Sequence, residues 1–218
     1  MAENTREIIL DTLLAIEKGE QYSNQLIRAV LDKYNYLDAR DKAFIKRVTE
    51  GTIERQIELD YYLDHFSTVP VRKMKPLVRT LLRMSVYQLL YMDAVPDSAV
   101  CNEACKLAVK RKFGNLRGFV NGVLRNLSRN KEQLPLPDEA AEPVRYLSVK
   151  YSMPEWLIGF WLEEYGRKIT ATMLKAIMAV HPVSVRFSAR LSEEERELLK
   201  GQLAQAGVEI REGAYLPC

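Results

Sequence analysis

Apolar residues recur every three or four positions along most of the chain, which is the spacing of one face of an α-helix. Asn4 with Glu7 forms a capping box that predicts the first helix, and Ser23 and Asp38 predict the next two. The third helix is predicted to run from Asp38 to residue 66, and Gly51 inside it marks either a break or a close contact. Up to about residue 130, the pattern predicts a compact bundle of six or seven helices.

The middle of this bundle is predicted to be a buried helix. Pro76 suits a first helical turn, and the segment from there to about Met92 is apolar on most of its sides. Ser98 then predicts the start of another helix, which Gly114 ends, and a last one covers about 116–129.

Beyond the bundle, three prolines and an acidic shift predict a linker over 131–143, followed by a helical connector over 144–180. Pro154 and Gly166 frame a helix whose thick apolar face carries Trp156 and Trp161. Core or interdomain packing is the favoured interpretation of this face, and base stacking is the alternative.

Residues 181–218 change period. VSVRFS and VEIRE alternate like strands around a helix that the capping box at Ser192 and Glu195 predicts. This predicts a parallel β-α-β unit. Two strands and one helix are too little to close a layer, so the segment is expected to be truncated. The predicted fold class is therefore mainly α, a helical bundle over 1–130 followed by the connector and an incomplete β-α-β unit.

Charge is distributed unevenly. The chain has 32 Lys and Arg against 29 Asp and Glu, but residues 71–129 have twelve against three, an excess of +9. Such an excess attracts phosphate through screened Coulomb forces and counterion release, although a solvated basic face is the simpler alternative. No long apolar run, signal peptide or disulfide framework is evident, so a cytoplasmic protein is expected.

The basic segment contains two candidate RNA-binding clusters. For the first, at the end of a helix, stabilisation of the helix dipole together with solubility is the alternative; for the second it is a solvated helix start, where cations oppose the dipole. The larger one combines a basic helix end with a polar stripe at intervals of four residues. Gly114, Gly118 and Gly122 share this spacing, which favours close helix packing or, alternatively, close approach of an RNA backbone. The second cluster contains Arg72, Lys73, Lys75, Arg79 and Arg83. The predicted RNA-binding residues are Lys110, Arg111, Lys112, Arg117, Asn121, Arg125 and Arg129, with Arg72, Lys73 and Arg79 from the second cluster.

No metal site or catalytic centre is predicted. Cys101 and Cys105 lie one helical turn apart, but the only histidines are His65 and His181, so a tetrahedral zinc set is not expected. Small buried core residues are the better interpretation of the two cysteines. Cys218 follows a proline at the chain end without the flanking residues of a catalytic motif.

Three stretches carry a family likeness: the start at Arg6, the segment DARDKAFIKRVTEGTIERQIELDYYL, and VPDSAVCNEACKLAVKRKFGNLRGFVNGVLRNL. They resemble the NusB-like RNA-binding helical fold. Antitermination factors of that fold read acidic after FVNGVL, whereas this chain has Arg125 and Asn126, which resembles the NusB-like domain of rRNA cytosine-C5 methyltransferases of the RsmB type. The segments SMPEWLIGFWLEEYG and HPVSVRFS resemble that family's connector and the start of its RRM-like subdomain.

The resemblance implies an N-terminal fragment that binds small-subunit rRNA beside a C-terminal methyltransferase domain, without metal or membrane. It implies S-adenosylmethionine for the full-length enzyme. This chain has neither the glycine-rich cofactor turn nor the nucleophilic cysteine, so we expect it to be inactive alone. A stand-alone antitermination or ribosome-assembly factor is the alternative, and a purely structural adaptor has the least support.

Overall fold

The computed structural model describes residues 4–19, 21–179 and 183–211, which form two compact units, Met1–Ile177 and Met178–Cys218. Ten α-helices lie in the described part, and the predicted mainly helical fold is confirmed. The helices are α1 Thr5–Glu17, α2 Ser23–Lys33, α3 Ala39–Glu54, α4 Gln56–Phe66, α5 Pro76–Tyr91, α6 Asp97–Lys110, α7 Arg117–Arg129, α8 Pro143–Tyr151, α9 Glu155–Met178 and α10 Glu193–Gln205.

Helix α5 lies at the centre of the first unit, as predicted from the apolar residues on most of its sides. It packs against α1, α3, α4, α6 and α7, and its residues from Thr80 to Leu89 are all buried. Gln88 is one of the buried polar residues, and it donates to the carbonyl of Met84 and accepts from Arg6. Satisfying these polar groups inside the bundle avoids the free-energy cost of burying them unpaired.

The prediction of one helix from Asp38 to Phe66 is wrong, because the chain forms two helices that meet at Arg55. Gly51 lies within α3 and is a close contact rather than the break. A Cβ built on Gly51 would overlap the ring of Tyr87 on α5. Glycine is therefore required where α3 and α5 approach most closely.

The first unit continues past residue 130. Helix α8 packs on α4, where the Ile57 amide donates to the Ser152 hydroxyl over 3.1 Å. Helix α9 is kinked at Gly166, whose positive φ interrupts it as the sequence predicts. Trp156 is 74% exposed, so core packing is the wrong interpretation for this residue. The predicted division of the chain at 130, 143 and 180 stays a prediction.

The second unit contains α10, and its predicted capping box at Ser192 and Glu195 is present. The β-α-β prediction is not confirmed, because residues 183–188 and 208–211 form no strand in the described part of the chain. An alternating pattern yields a strand only when a neighbour pairs with its backbone, and Val183 and Val185 are largely exposed here. His181 and the pair at 217–218 lie outside the described residues.

Candidate nucleic-acid interface

Helices α6 and α7 form the walls of the site and are tied together at both ends. At one end the thiol of Cys105 donates to the carbonyl of Arg117 over 3.8 Å. At the other, Asp97 accepts from the Ser128 hydroxyl at 2.6 Å and pairs with Lys131 at 3.0 Å. Burial opposes ionisation of Asp97, but these two partners outweigh it and hold its pKa below the usual value. The two walls are thus fixed relative to each other.

An open groove of about 690 Å³ runs between these two helices. Both walls contribute basic and amide side chains, and the described lining contains neither a carboxylate nor an aromatic ring. The lining residues are Asn102, Cys105, Lys106, Val109 and Lys110 from α6, and Arg117, Gly118, Asn121 and Arg125 from α7.

The end of α6 differs from the prediction. The helix ends at Lys110 rather than at Gly114, and Lys112 takes the left-handed conformation with φ 64°. The Phe113 amide donates to the Ala108 carbonyl over 2.8 Å, which is the long hydrogen bond of a Schellman motif. This motif usually places glycine where this chain has Lys112, so a basic side chain occupies the turn beside the groove.

The glycines of α7 do not serve helix packing. A Cβ added to Gly118 or Gly122 would meet no described atom within 4 Å outside its own helix backbone. At Gly114, the neighbour is a methyl group of Val109 at 3.9 Å, an ordinary van der Waals distance. The packing interpretation is therefore wrong for Gly118 and Gly122, which leave part of α7 uncovered.

The second basic cluster is divided by its ion pairs. Arg83 donates to both carboxylate oxygens of Asp60 over 2.6 Å, and it also lies 3.8 Å from Glu17. Arg79 forms an ion pair with the same Glu17. Both arginines are mostly buried, so these carboxylates neutralise the helix that sequence alone presents as basic.

Two predicted RNA-binding residues of the larger cluster also have acidic partners on α1. Lys110 pairs with Glu7, and Arg111 pairs with Glu7 at 3.2 Å and with Asp11. Lys110 keeps 62% of its side chain exposed, whereas Arg111 keeps 28%. Exposed ion pairs contribute little stability, so the ammonium group of Lys110 can exchange partners at low cost.

One cation-π contact links the segments that carry the two clusters. The ammonium group of Lys75 sits over the ring of Phe113, 5.4 Å from its centroid. This contact brings the turn containing Arg72 and Lys73 beside the turn containing Lys112. Two clusters some forty positions apart in sequence thus meet at one end of the α6–α7 pair.

Of the twelve cations between 71 and 129, seven have no acidic partner within 4 Å among the described residues. All seven are exposed, and six of them belong to the predicted RNA-binding residues. Arg129 is one of these six, but it lies outside the groove because the stripe drifts around α7. These cations are Arg72, Lys73, Lys75, Lys112, Arg117, Arg125 and Arg129. The RNA-binding assignment itself stays a prediction.

The sequence prediction included Lys110 on the α6 side of the groove but missed the other polar side chains there. Asn102 and Lys106 line it together with Lys110, at intervals of four residues. The four-residue spacing that identified the stripe on α7 also selects Asn102 and Lys106, which directly follow the buried Cys101 and Cys105 in sequence. Both cysteines are buried, as predicted, and burial raises the pKa of Cys101.

Other kinds of site find no support among the described residues. No group of three or more His, Cys, Asp or Glu side chains there could hold a metal ion. None of the described helices combines the length and apolarity that a membrane crossing requires.

Comparison with known proteins bears out the resemblance read from the sequence. A probable ribosomal RNA small subunit methyltransferase B of Bacillus subtilis is 34% identical over 212 residues, which is 96% of this chain and 46% of that protein. The transcription antitermination protein NusB of Bacillus velezensis is 32% identical over 130 residues, 58% of this chain and 95% of that protein. The chain thus spans about half the length of the methyltransferase relative.

Solved structures agree on the fold. The crystal structure of PH0851 matches all of this chain and 48% of its own with a TM-score of 0.64, at 17% identity. The model of the NusB family matches residues 3–129, which is more than half of the 218 residues. The helical bundle that carries the groove therefore makes this chain a member of the NusB family.

Proposed function

We propose that this chain is the N-terminal RNA-binding region of an S-adenosylmethionine-dependent methyltransferase that modifies cytosine C5 in small-subunit rRNA. Its role is to hold the rRNA while a C-terminal domain performs the chemistry in the cytoplasm. The relative named ribosomal RNA small subunit methyltransferase B, matched over 212 residues, supports this role because the match continues far beyond the NusB-like bundle.

One observation carries the RNA-binding part of the proposal. The groove between α6 and α7 has exposed Arg117 and Arg125 on its α7 wall, and neither has an acidic partner within 4 Å among the described residues. Helix α7 starts there without a side-chain cap or an acid in its first turn, so its positive dipole end adds to the field. Such a groove concentrates phosphate groups.

The cofactor does not fit the described residues. S-adenosylmethionine binding of the expected kind needs a strand that leads through a glycine-rich turn into a helix. The described part of this chain contains no strand, and Gly118 and Gly122 lie inside a helix instead. We assign the methyl-transfer step to the proposed C-terminal domain, and we expect the chain alone to be inactive.

A second candidate function has one observation in its favour. NusB of Bacillus velezensis aligns over 95% of its own length with the bundle alone, which favours a stand-alone transcription or ribosome-assembly factor. The intact mass of the protein in its source cells separates the two. A mass far above the 25.1 kDa of this chain supports the methyltransferase. A mass of that size supports the second candidate.

RNA binding is tested by charge reversal. We expect Arg117→Glu combined with Arg125→Glu to weaken binding of a small-subunit rRNA fragment by about 100-fold. The plot of log affinity against log salt concentration flattens by about 2, since roughly one phosphate contact is lost per cation.

The matched control is Arg28→Glu combined with Arg40→Glu, which changes the net charge equally on exposed positions of α2 and α3. We expect this control to weaken binding by less than about threefold, through long-range repulsion alone. Equal losses in the two variants would show that net charge, and not the groove, attracts the RNA.

A further inference from the structure

We propose that the α6–α7 groove binds double-helical RNA through its sugar-phosphate backbone, with Gly118 in its lining and the exposed Gly122 one turn further along α7 as the points of closest approach. The inference rests on the proposed RNA-binding function and names the form of RNA that the groove takes. It is carried by the chemistry of the lining, by the open surface of α7 and by the neighbouring cations.

The lining favours phosphates over bases. Binding of single strands generally uses aromatic side chains on which bases stack, and the described lining of this groove contains none. It offers Lys106, Lys110, Arg117 and Arg125 instead, with the amides of Asn102 and Asn121 between them. Cations bind phosphate oxygens, and side-chain amides bind ribose hydroxyls, which a helix of RNA presents along its wide minor groove.

The wall of the groove is preorganised for this contact. Asn121 accepts from the Nε of Arg125 over 3.0 Å, which holds that guanidinium group along α7 and leaves its other donors free to point outward. A planar guanidinium group binds a phosphate with two parallel hydrogen bonds. Fixing it beforehand lowers the entropy lost on binding.

The two glycines explain how a bulky backbone reaches this wall. Each lies next to a polar member of the stripe, and each exposes helix backbone where any other residue would place a side chain. Glycine lowers helix stability, and no packing contact among the described residues compensates for it at these positions. An approaching RNA backbone gains the space that the missing Cβ atoms leave.

Further exposed cations lie next to the α6 end of the groove. Lys112 follows α6, and the contact of Lys75 with Phe113 links this turn to the segment before α5 that contains exposed Arg72 and Lys73. Cations that extend from the groove to the segment before α5 suit a rigid RNA helix with regularly spaced phosphates. A flexible single strand would lose more conformational entropy when it is ordered along the same cations.

The test separates fold stability from binding. Gly118→Ala and Gly122→Ala, singly and combined, are compared with Gly159→Ala in α9, where an added Cβ also meets no described atom within 4 Å. Each alanine is expected to raise the melting temperature by about 2 °C through its helix propensity. The probes are an RNA hairpin with a stem of about 16 base pairs and a single strand of the same composition.

We expect the wild-type chain to bind the hairpin at least about fivefold more tightly than the single strand. The combined variant is expected to bind the hairpin about tenfold more weakly although it is more stable, and Gly159→Ala is expected to bind as the wild type does. Equal hairpin affinity in the combined variant, or tighter binding of the single strand, would overturn the inference.

The outcomes distinguish this inference from the proposed function. If charge reversal at Arg117 and Arg125 abolishes binding while the alanine variants bind normally, RNA binding stands and the close approach at the glycines is wrong. If the wild-type chain binds neither RNA, the proposed function fails and this inference fails with it.

Discussion

Helices α5 and α7 each carry arginines spaced by multiples of four residues, but the surroundings of these arginines are opposite. On α5, Arg79 and Arg83 face Glu17 and Asp60, so their charges are neutralised inside the protein. On α7, Arg117 and Arg125 line an open groove without acidic partners within 4 Å among the described residues. A basic segment therefore becomes a binding surface only where the rest of the fold leaves its charges unpaired.

The largest effect is expected on the stability of the fold, from a substitution among the paired arginines of α5. Arg83→Leu removes both hydrogen bonds to Asp60 and leaves this largely buried carboxylate without them, so we expect the free energy of unfolding in urea to fall by about 2–3 kcal/mol. Arg125→Leu, the matched change in the groove, is expected to alter it by less than about 0.5 kcal/mol. Similar losses of unfolding free energy at the two positions would show that the ion pairs of Arg83 do not distinguish it from Arg125.

The next largest effect is expected on RNA affinity. Here we expect a substitution on α7 to have the larger effect and one on α5 the smaller. Arg117→Ala is expected to weaken rRNA binding about fivefold to tenfold, because an unpaired cation is lost from the groove. Arg79→Ala is expected to change it less than about twofold, since Glu17 already neutralises this arginine. Fluorescence anisotropy on folded variants measures the rRNA affinity of both. A fivefold loss of affinity in Arg79→Ala would show that Arg79 contacts the RNA despite its ion pair.

A smaller effect is expected at the turn between the two helices of the groove. Lys112→Gly relieves the left-handed conformation, so we expect a gain of about 0.5–1 kcal/mol in the free energy of unfolding. RNA affinity is expected to fall about twofold because the charge is lost. Lys112→Asn tolerates the same φ without the charge, so it should lose affinity equally while gaining less stability.

The smallest effect is expected at the acid beside the groove. The hydrogen bond from Lys106 holds the pKa of Glu103 below its usual value, so Glu103 is charged at neutral pH and competes for this lysine. Glu103→Gln is expected to tighten RNA binding about twofold.

The pH dependence checks the same pair. Because the pKa of Glu103 is lowered in the folded protein, its stabilising effect is present above the unfolded pKa of 4.5 and is lost as pH falls through the folded value. Urea titrations from neutral pH into this acid range should therefore show a shallower stability loss in Glu103→Gln than in the wild type. An identical pH profile would show that Lys106 is not held by Glu103 in solution.

The sequence was sufficient for most helices and for the burial of α5, because caps, prolines and apolar periodicity act between residues a few positions apart. It was insufficient for the break at Arg55, where no proline or glycine marks the change of direction. It was also insufficient for Gly51, whose role depends on the Tyr87 ring from another helix. The alternating segments of the second unit have the sequence pattern of strands but form none among the described residues, since a strand needs a neighbouring strand to pair with its backbone.

For the candidate site, the basic segment and the stripe at Arg117, Asn121 and Arg125 follow from the order of residues along the chain. Which cations stay unpaired follows from the packing of the helices. Glu7 reaches Lys110 across 103 positions of the chain, and Glu17 reaches Arg79 across 62. The physical reason is range: helix periodicity is set by neighbours along the chain, whereas the neutralisation of a charge depends on whichever carboxylates the packed helices bring within a few ångströms.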